Sequence, residues 1–272
     1  MDSGRGDPRR RSGNTSFEEA WRERFGEFAA LRDDDAGIAG WSTSGLETRM
    51  RFFRSLWAPV PAGSLYLDAG CGAGTYARWL DDQGLRAVGV DYSLPALVKA
   101  RDRSPPAVSY CAADAVRLPF ADAVFDGALC FGVLQAVSES APVVRELARV
   151  LKPGAALWID ALNRSGLAAR VTTARRRARG RPMHLRYEEP GALARALAVA
   201  GFDRLERHWL PIVPHGMRHL RPLVESRLAR LALSRAPILG GLLSHAFVYR
   251  ATRAGAGPQP VDAVGPRLRA GR

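Results

Sequence analysis

The sequence predicts an α/β fold built on a doubly wound, mostly parallel sheet. Two observations lead to this prediction. Short apolar runs alternate with helical stretches from about residue 64 onward, and a glycine-rich turn follows the first of these runs. Alternation of this kind is typical of parallel βαβ units. At 272 residues, of which 47% are hydrophobic, the chain can bury the core of one sizeable domain.

Composition suggests where this domain begins and ends. Residues 1–15 and 255–272 are rich in Gly, Pro and Arg, and we expect both segments to be disordered. Residues 16–254 are then one domain. Its cofactor-binding core spans about 60–163, and a substrate cap with the last strands spans about 164–254. Before the core, residues 17–57 have a mostly helical pattern, which predicts N-terminal helices.

Five apolar runs predict the strands of the core: SLYLDA, RAVGV, AVSYC, FDGALCF and AALWID. Helical stretches lie between them, with the sequences TYARWLDDQ, SLPALVKARD and APVVRELARVL. Ser93 can cap the second of these helices, and Pro95 is tolerated in its first turn. The third helix should bury one apolar face, formed by Val143, Val144, Leu147 and Val150.

The rhythm changes after Asn163. A basic, strand-poor segment is followed by a helix, PGALARALAVAG, and a strand, FDRLERHWL. A further helical region at about residues 217–235 precedes the last strand, SHAFVYRATR. One face of that region is apolar and its flanks are basic, through Leu220, Val224, Leu228, Leu231, Arg218, Arg221, Arg227 and Arg230. The pattern predicts a helical C-terminal cap inserted between the last two strands.

The glycine-rich turn lies in LYLDAGCGAGTY, residues 65–76, where Gly70, Gly72 and Gly74 alternate with other residues. A dinucleotide-binding turn has the spacing Gly-x-Gly-x-x-Gly, but Thr75 stands at its third glycine position. Asp68 would also place a negative charge near a pyrophosphate, which is unfavourable. A cofactor with a sulfonium and an ammonium group would instead be attracted, so the turn favours a cationic nucleoside.

Acidic residues follow the next two strands. Asp91 ends the second strand, where a carboxylate can bind both ribose hydroxyls, and Asp114 follows the third, where it can bind the adenine amine. The fourth strand ends in FDGALCFGVLQAV, and VLKPGAALWI leads into the fifth. Together with the glycine turn, these motifs resemble the class I S-adenosylmethionine-dependent methyltransferases, particularly the type 11 branch that includes quinone-biosynthesis enzymes. The resemblance covers residues 65–160.

The resemblance implies a Rossmann-like class I methyltransferase fold, with S-adenosylmethionine as cofactor and S-adenosylhomocysteine as product. Asp91 would bind the ribose, Tyr92 the adenine ring, and Asp114 with Ala115 the adenine edge. The methionine and ribose side would be lined by Asp68, Gly70, Gly72 and Gly74, and the methyl group by Cys130 and Phe131. The remaining cofactor-binding residues implied are Ala69, Cys71, Thr75 and Ser93. Gln135 departs from the pattern, because many relatives have histidine there.

A hydroxyl acceptor would require a general base. The candidates are His184, Tyr187 and His215, with His208 and His219 as further histidines outside the core. The motifs of nucleobase-amine, pyrimidine-carbon and metal-dependent catechol methyltransferases are absent after the fourth strand, and no metal is expected. The sequence therefore favours O-methylation of a small-molecule, glycan or lipid-linked acceptor, with the acceptor and the methylated atom left open.

Charge is distributed unevenly along the chain. Residues 1–160 carry a net charge of −2 and residues 161–272 a net charge of +15, with seven arginines between positions 170 and 186. This asymmetry predicts an anionic partner for the C-terminal part. An RNA methyltransferase is one alternative, although no aromatic residue is interleaved before Tyr187. Peripheral contact with an anionic membrane is another. An inactive cofactor-binding protein and a nicotinamide-dependent dehydrogenase are less favoured.

The N-terminus, MDSGRGDPRRRSG, has no apolar segment of the kind found in a signal peptide. The three cysteines, at positions 71, 111 and 130, lack metal-ligand spacing and indicate a reducing compartment. The longest run without an acidic residue, lysine or arginine spans residues 236–249, which is too short to cross a bilayer. These observations predict a cytoplasmic protein.

Overall fold

A computed structural model describes residues 8–181, 183, 185–211, 221–224 and 226–255. Its centre is a seven-stranded sheet in the order β3-β2-β1-β4-β5-β7-β6. The strands are β1 (Leu65–Ala69), β2 (Arg86–Asp91), β3 (Ser109–Ala112), β4 (Phe125–Cys130), β5 (Leu151–Leu162), β6 (Phe202–Leu210) and β7 (Ala246–Arg253). Strands β1 to β5 pair in parallel, and β7 runs antiparallel to both β5 and β6. The predicted doubly wound, mostly parallel sheet is confirmed.

Helices form the described N-terminal part of the chain, from residue 8, and the crossovers between strands. The described helices are α1 (Pro8–Leu31), α2 (Asp35–Ile38), α3 (Thr43–Leu56), α4 (Thr75–Asp82), α5 (Leu94–Asp102), α6 (Ser140–Val150), α7 (Leu167–Ala178), α8 (Pro190–Val199), α9 (Arg221–Val224), α10 (Arg227–Arg235) and α11 (Pro237–Leu243). Helix α1 begins at Pro8, within the segment 1–15 for which the sequence predicts disorder. Proline is tolerated at this position because the first turn of a helix needs no amide hydrogen from it. Of the predicted tail 255–272, Gly255 alone is described.

The cap differs from the sequence prediction in one respect. The region 217–235 is not one continuous helix, because α9 ends at Val224 and α10 begins at Arg227. Ser226 caps α10, its hydroxyl accepting a hydrogen bond from the Ala229 amide at 3.1 Å. A capping residue in extended conformation interrupts the helix, so Val224 and Leu228 do not lie on one continuous face. Leu220, Arg218 and His219 lie outside the described residues.

Local signals in the core are confirmed. The Ser93 hydroxyl accepts a hydrogen bond from the Ala96 amide at 3.4 Å and caps α5, with Pro95 in the first turn. Helix α6 buries its apolar face completely, through Val143, Val144, Leu147 and Val150. Burying each such side chain contributes roughly 1.5–3 kcal/mol, which holds α6 against the sheet.

The opposite face of the sheet has an aromatic core. The Phe53 ring of α3 lies edge-on to Trp79 of α4 and Trp158 of β5, at centroid distances of 5.0 Å and 5.4 Å. These contacts fix α3 beside the carboxyl ends of the central strands. Among the described helices, none combines the length and the apolar character needed to cross a bilayer.

Candidate active site

The turn between β1 and α4 requires glycine for two reasons. Gly70, Gly72 and Gly74 have φ values of +76°, +50° and +80°, the left-handed region that favours glycine. At Gly70 there is also no room for a side chain, because a Cβ atom would lie 2.2 Å from Cγ2 of Val133. The turn therefore brings bare backbone to the ends of β1 and β4.

Asp91 at the end of β2 holds this turn in place. Its Oδ2 atom accepts a hydrogen bond from the Gly72 amide at 2.9 Å, and Oδ1 accepts one from the Ser93 amide at 2.8 Å. Burial raises the pKa of the Asp91 carboxyl, and these backbone hydrogen bonds oppose that rise. The carboxylate has further lone pairs that a ligand can use.

Asp68 lies behind the turn and is 1% exposed. Its Oδ2 atom accepts a hydrogen bond from the Ala77 amide at 3.0 Å, which ties α4 to the end of β1. The pKa of Asp68 is raised to about 7: burial is the main cause, the Ala77 hydrogen bond opposes the rise and the charge of Asp91 adds to it. A cation bound near the turn would favour the ionised form.

A cavity, here called the cofactor cavity, lies at the carboxyl ends of β1, β2 and β4. Eight of the sequence-predicted residues line it: Gly70, Gly72, Asp91, Tyr92, Ser93, Asp114, Ala115 and Phe131. Its wall also includes Phe25, Ile38, Ala39, Trp41 and Val133, which the sequence analysis did not identify. The cavity is at the point where strand order reverses between β1 and β4, the usual ligand position in doubly wound sheets.

Six predicted residues do not line this cavity: Asp68, Ala69, Cys71, Gly74, Thr75 and Cys130. The expectation that Cys130 faces the cavity is not met, because its side chain is fully buried in the core, whereas the next residue, Phe131, lines the cavity and stacks on Tyr76 at 4.7 Å. Thr75 donates its hydroxyl hydrogen to Asp35 at 2.6 Å. Burial raises the pKa of the Cys71 and Cys130 thiols, so both remain protonated.

Helix α1 forms one wall at the Tyr92 side of the cofactor cavity. Arg22 is paired with the Asp114 carboxylate, and the Tyr92 hydroxyl donates to the Trp21 carbonyl at 3.5 Å. The rings of Phe25 and Tyr92 meet edge-on at 6.1 Å. The sequence contained one signal for this wall: the aromatic residues at positions 21, 25 and 28 have a spacing that places them on one helical face.

A buried ion pair borders the other side of the cavity. Nε of Arg49 lies 3.0 Å from Oδ2 of Asp160, and the two side chains are 5% and 3% exposed. The Asp160 Oδ1 atom also accepts a hydrogen bond from the Gly132 amide at 2.6 Å. The Arg49 guanidinium lies 4.4 Å from the Trp41 ring centroid. A Cβ atom at Gly132 would lie 2.4 Å from Cζ2 of Trp41, so Trp41 packs directly on this turn.

A second cavity, here called the α3 cavity, has a volume of about 210 Å³. It shares Trp41 with the cofactor cavity and is otherwise lined by Gly40, Ser42, Gly45, Arg49, Gln135, Leu162, Leu185 and His245. Burial, with a smaller contribution from the Arg49 charge, lowers the pKa of His245 to about 4. His245 is therefore neutral near pH 7. The sequence analysis did not select it, because nothing local marks its position just before β7.

None of the sequence-predicted bases that the structure describes lines the cofactor cavity or the α3 cavity. Tyr187 is half-buried against the aromatic core, and burial raises its pKa. His208 on β6 stacks on Trp158 at 6.3 Å and lines neither cavity. His184, His215 and His219 lie outside the described residues. Within the described ranges, no cluster of His, Cys, Asp or Glu side chains is suited to hold a metal ion.

The structure is that of a doubly wound α/β protein with a cavity at its topological switch point, the usual ligand position in such sheets. A family model described as a methyltransferase domain matches residues 67–159. The chain is 31% identical over 193 residues to malonyl-[acyl-carrier protein] O-methyltransferase of Pseudescherichia vulneris, covering 62% of this chain and 73% of that protein. The protein belongs to the class I S-adenosylmethionine-dependent methyltransferases, and S-adenosylmethionine is its cofactor.

Two further comparisons agree with this assignment. The chain is 37% identical over 118 residues to demethylmenaquinone methyltransferase of Corynebacterium kroppenstedtii, covering 43% of this chain and half of that enzyme. In fold, it is similar to an S-adenosylmethionine-dependent methyltransferase of Thermotoga maritima, with a TM-score of 0.54 and 19% identity over 88% of this chain and 95% of that one. Because the chain belongs to the methyltransferase family, a nicotinamide-dependent dehydrogenase is no longer a candidate.

Proposed function

We propose that the protein transfers the methyl group of S-adenosylmethionine to a hydroxyl oxygen of a small molecule held in the α3 cavity. The observation that carries this proposal is the position of His245. Its neutral imidazole lines a cavity that adjoins the cofactor cavity at Trp41. A neutral imidazole can accept the hydrogen bond of an acceptor hydroxyl group.

In this proposal the cofactor would be held by residues at the carboxyl ends of β1 and β2. Asp91 would bind the ribose hydroxyls through its remaining lone pairs, and Ala115, Tyr92 and Phe25 would contact the adenine. Asp114 accepts from the adenine amine and shares its carboxylate with Arg22. The sulfonium and ammonium groups lie near the glycine turn, where Asp68 favours them electrostatically. The cavity lining by these residues, Asp68 and Arg22 excepted, supports this arrangement.

The transfer step balances without a further reactant. The acceptor oxygen forms a bond to the methyl carbon as the carbon–sulfur bond breaks, and the electron pair neutralises the sulfonium. The hydroxyl proton passes to the His245 imidazole and then to solvent. The hydroxyl proton becomes more acidic as the oxygen–carbon bond forms, so the neutral His245 imidazole can accept it late in the transfer.

The α3 cavity suits a compact, partly polar acceptor. Gln135 offers an amide, Leu162 and Trp41 offer apolar contact, and the Arg49 charge in its wall is already paired with Asp160. One relative is named malonyl-[acyl-carrier protein] O-methyltransferase and another demethylmenaquinone methyltransferase. These names support a small molecule as the acceptor, and a glycan- or lipid-linked molecule stays an alternative that they do not test.

An RNA acceptor remains the alternative proposal. It is supported by the arginines between positions 170 and 186, none of which lines either the cofactor cavity or the α3 cavity. An RNA substrate would therefore have to reach the methyl group from outside the α3 cavity.

Methyl-labelled S-adenosylmethionine, incubated with the protein and an extract of its host, tests the proposal. We expect label in small molecules or organic-soluble material, in a form that mass spectrometry identifies as an O-methyl ether. An Asp91→Ala variant, which loses the ribose contacts, serves as the negative control. Label that nuclease treatment releases would contradict the proposal and favour RNA.

A further inference from the structure

The cap presents a surface that is apolar and unusually exposed. Helices α7 and α11 pack against each other, and their outer surface, with residues 164–165 after β5, is here called the cap face. Its apolar side chains are between 47% and 81% exposed: Leu167, Val171, Ile238, Leu239 and Leu243. Large apolar side chains grouped in this way usually mark a contact surface.

The same surface is strongly basic. Exposed arginines lie on α7, at its C-terminal end and beside it: Arg164, Arg170, Arg175, Arg177, Arg179 and Arg181. Within the described part of the chain, none of these six forms a salt bridge. Arg149 and Arg186, by contrast, each lie 2.8 Å or less from a carboxylate oxygen. The cap face therefore carries positive charge that the described residues leave uncompensated.

A groove of about 690 Å³ opens on this surface between α7, α8, α11 and β6. Arginines 164, 170 and 207 line it together with the apolar side chains of Trp209, Ile238 and Leu242. Glu189 is the one carboxylate among the lining residues. The Arg207 guanidinium lies 4.4 Å from the Trp209 ring centroid, so the cation is held over an apolar floor. Planar guanidinium groups match the geometry of phosphate oxygens.

We propose that the cap face docks on the surface of an anionic phospholipid bilayer. The apolar side chains of α7 and α11 enter the boundary between head groups and acyl chains, and the arginines contact phosphates, with one head group in the groove. Basic charge beside an exposed apolar face is the combination that binds such surfaces. The inference goes beyond the proposed methyl transfer and does not depend on it.

RNA is the competing partner for the arginines, and two observations favour the bilayer. Phosphate contacts with RNA do not require the exposed Ile238 and Leu239 side chains. RNA-binding surfaces also commonly stack bases on aromatic residues, whereas the sequences of α7 and α11 contain none and Trp209 in the groove is only 7% exposed beneath Arg207.

Co-sedimentation of the full chain with vesicles tests the proposal. The protein should bind vesicles of mixed phosphatidylglycerol and phosphatidylcholine and should not bind phosphatidylcholine alone. The triple change Arg175→Gln, Arg177→Gln and Arg179→Gln should lower the partition coefficient by about 100-fold, since each arginine near the surface contributes about fivefold. Lysine at the same three positions should restore binding. The double change Ile238→Ser and Leu239→Ser should lower it by at least about tenfold.

Matched variants separate this effect from a general loss of charge or of fold. Arg86→Gln, Arg101→Gln and Arg145→Gln remove three exposed arginines elsewhere, and Leu31→Ser with Val199→Ser removes two exposed apolar side chains. Both controls should bind vesicles as the wild type does, and every variant should retain its affinity for S-adenosylmethionine. The proposal is overturned if the wild type does not bind anionic vesicles. It is also overturned if the Ile238 and Leu239 changes have no effect, or if RNA is bound in place of the vesicles.

Discussion

Arg49 of α3 and Asp160 of β5 form a buried ion pair, with Nε of the arginine 3.0 Å from Oδ2 of the aspartate. The pair lies at the border of the two cavities, because Asp160 also accepts the Gly132 amide and Arg49 lines the α3 cavity. It therefore links the N-terminal helices to the turn after β4. Breaking such a pair from one side leaves a buried charge without a partner.

Replacing Arg49 with methionine should lower the free energy of unfolding by about 3–5 kcal/mol. Urea denaturation measures the loss. Arg51→Met, on the same helix, is the matched control, because the Arg51–Glu47 pair is about half exposed and such pairs contribute no more than about 1 kcal/mol. Equal losses for the two variants would show that the buried pair does not stabilise this region.

The glycine turn makes a second prediction, with a control at nearly the same backbone angle. Gly70 and Gly63 have φ values of +76° and +74°, but a Cβ atom would clash with Val133 only at Gly70 and has open space at Gly63. Gly63→Ala should lower the free energy of unfolding by about 1–2 kcal/mol through backbone strain alone. Gly70→Ala should cost about 1–3 kcal/mol more and should also weaken S-adenosylmethionine binding in calorimetric titration. Equal effects would mean that the close approach of Val133 is unimportant.

Asp68 should make the stability of the cofactor-free protein fall with rising pH. Its folded-state pKa of about 7 exceeds the ordinary value of 3.8, so the folded state holds the proton more tightly. The resulting stabilisation is complete below about pH 4 and is lost as the pH rises through 7. Between pH 5 and pH 8, the free energy of unfolding of Asp68→Asn should therefore rise by on the order of 1–3 kcal/mol relative to that of the wild type. Asp102→Asn changes an exposed residue and serves as the control, with no such pH-dependent rise expected. A difference in the free energy of unfolding between Asp68→Asn and the wild type that does not change with pH would contradict the account.

Helix α1 should contribute to cofactor binding through Phe25, which lines the cofactor cavity. Phe25→Ala should weaken S-adenosylmethionine binding by about tenfold, because it removes apolar contact area from the cavity wall. Phe28→Ala is the control on the same helix, since Phe28 packs on Phe25 at 6.1 Å but does not line the cavity. If both changes leave the affinity unaltered, α1 does not form part of the binding site.

The sequence predicted the elements whose signals are local. Alternating apolar runs identified the strands, and the Ser93 cap and the apolar face of α6 were confirmed. Glycine spacing and strand-end acids located one wall of the cofactor cavity. The other walls depend on packing between distant segments, so Trp41, Arg49 and His245 could not be placed together from sequence. The departure at Gln135 was visible, but only the fold places that residue in the α3 cavity.

The most direct test of the central claim compares His245→Asn with His208→Asn once the acceptor has been identified. His245 lines the α3 cavity, whereas His208 lies on β6 against Trp158 and lines neither cavity. The account predicts that His245→Asn lowers kcat by about 100-fold or more, with the Kd for S-adenosylmethionine unchanged, and that His208→Asn leaves kcat near the wild-type value. An unchanged kcat for His245→Asn would contradict the assignment of the α3 cavity as the acceptor site.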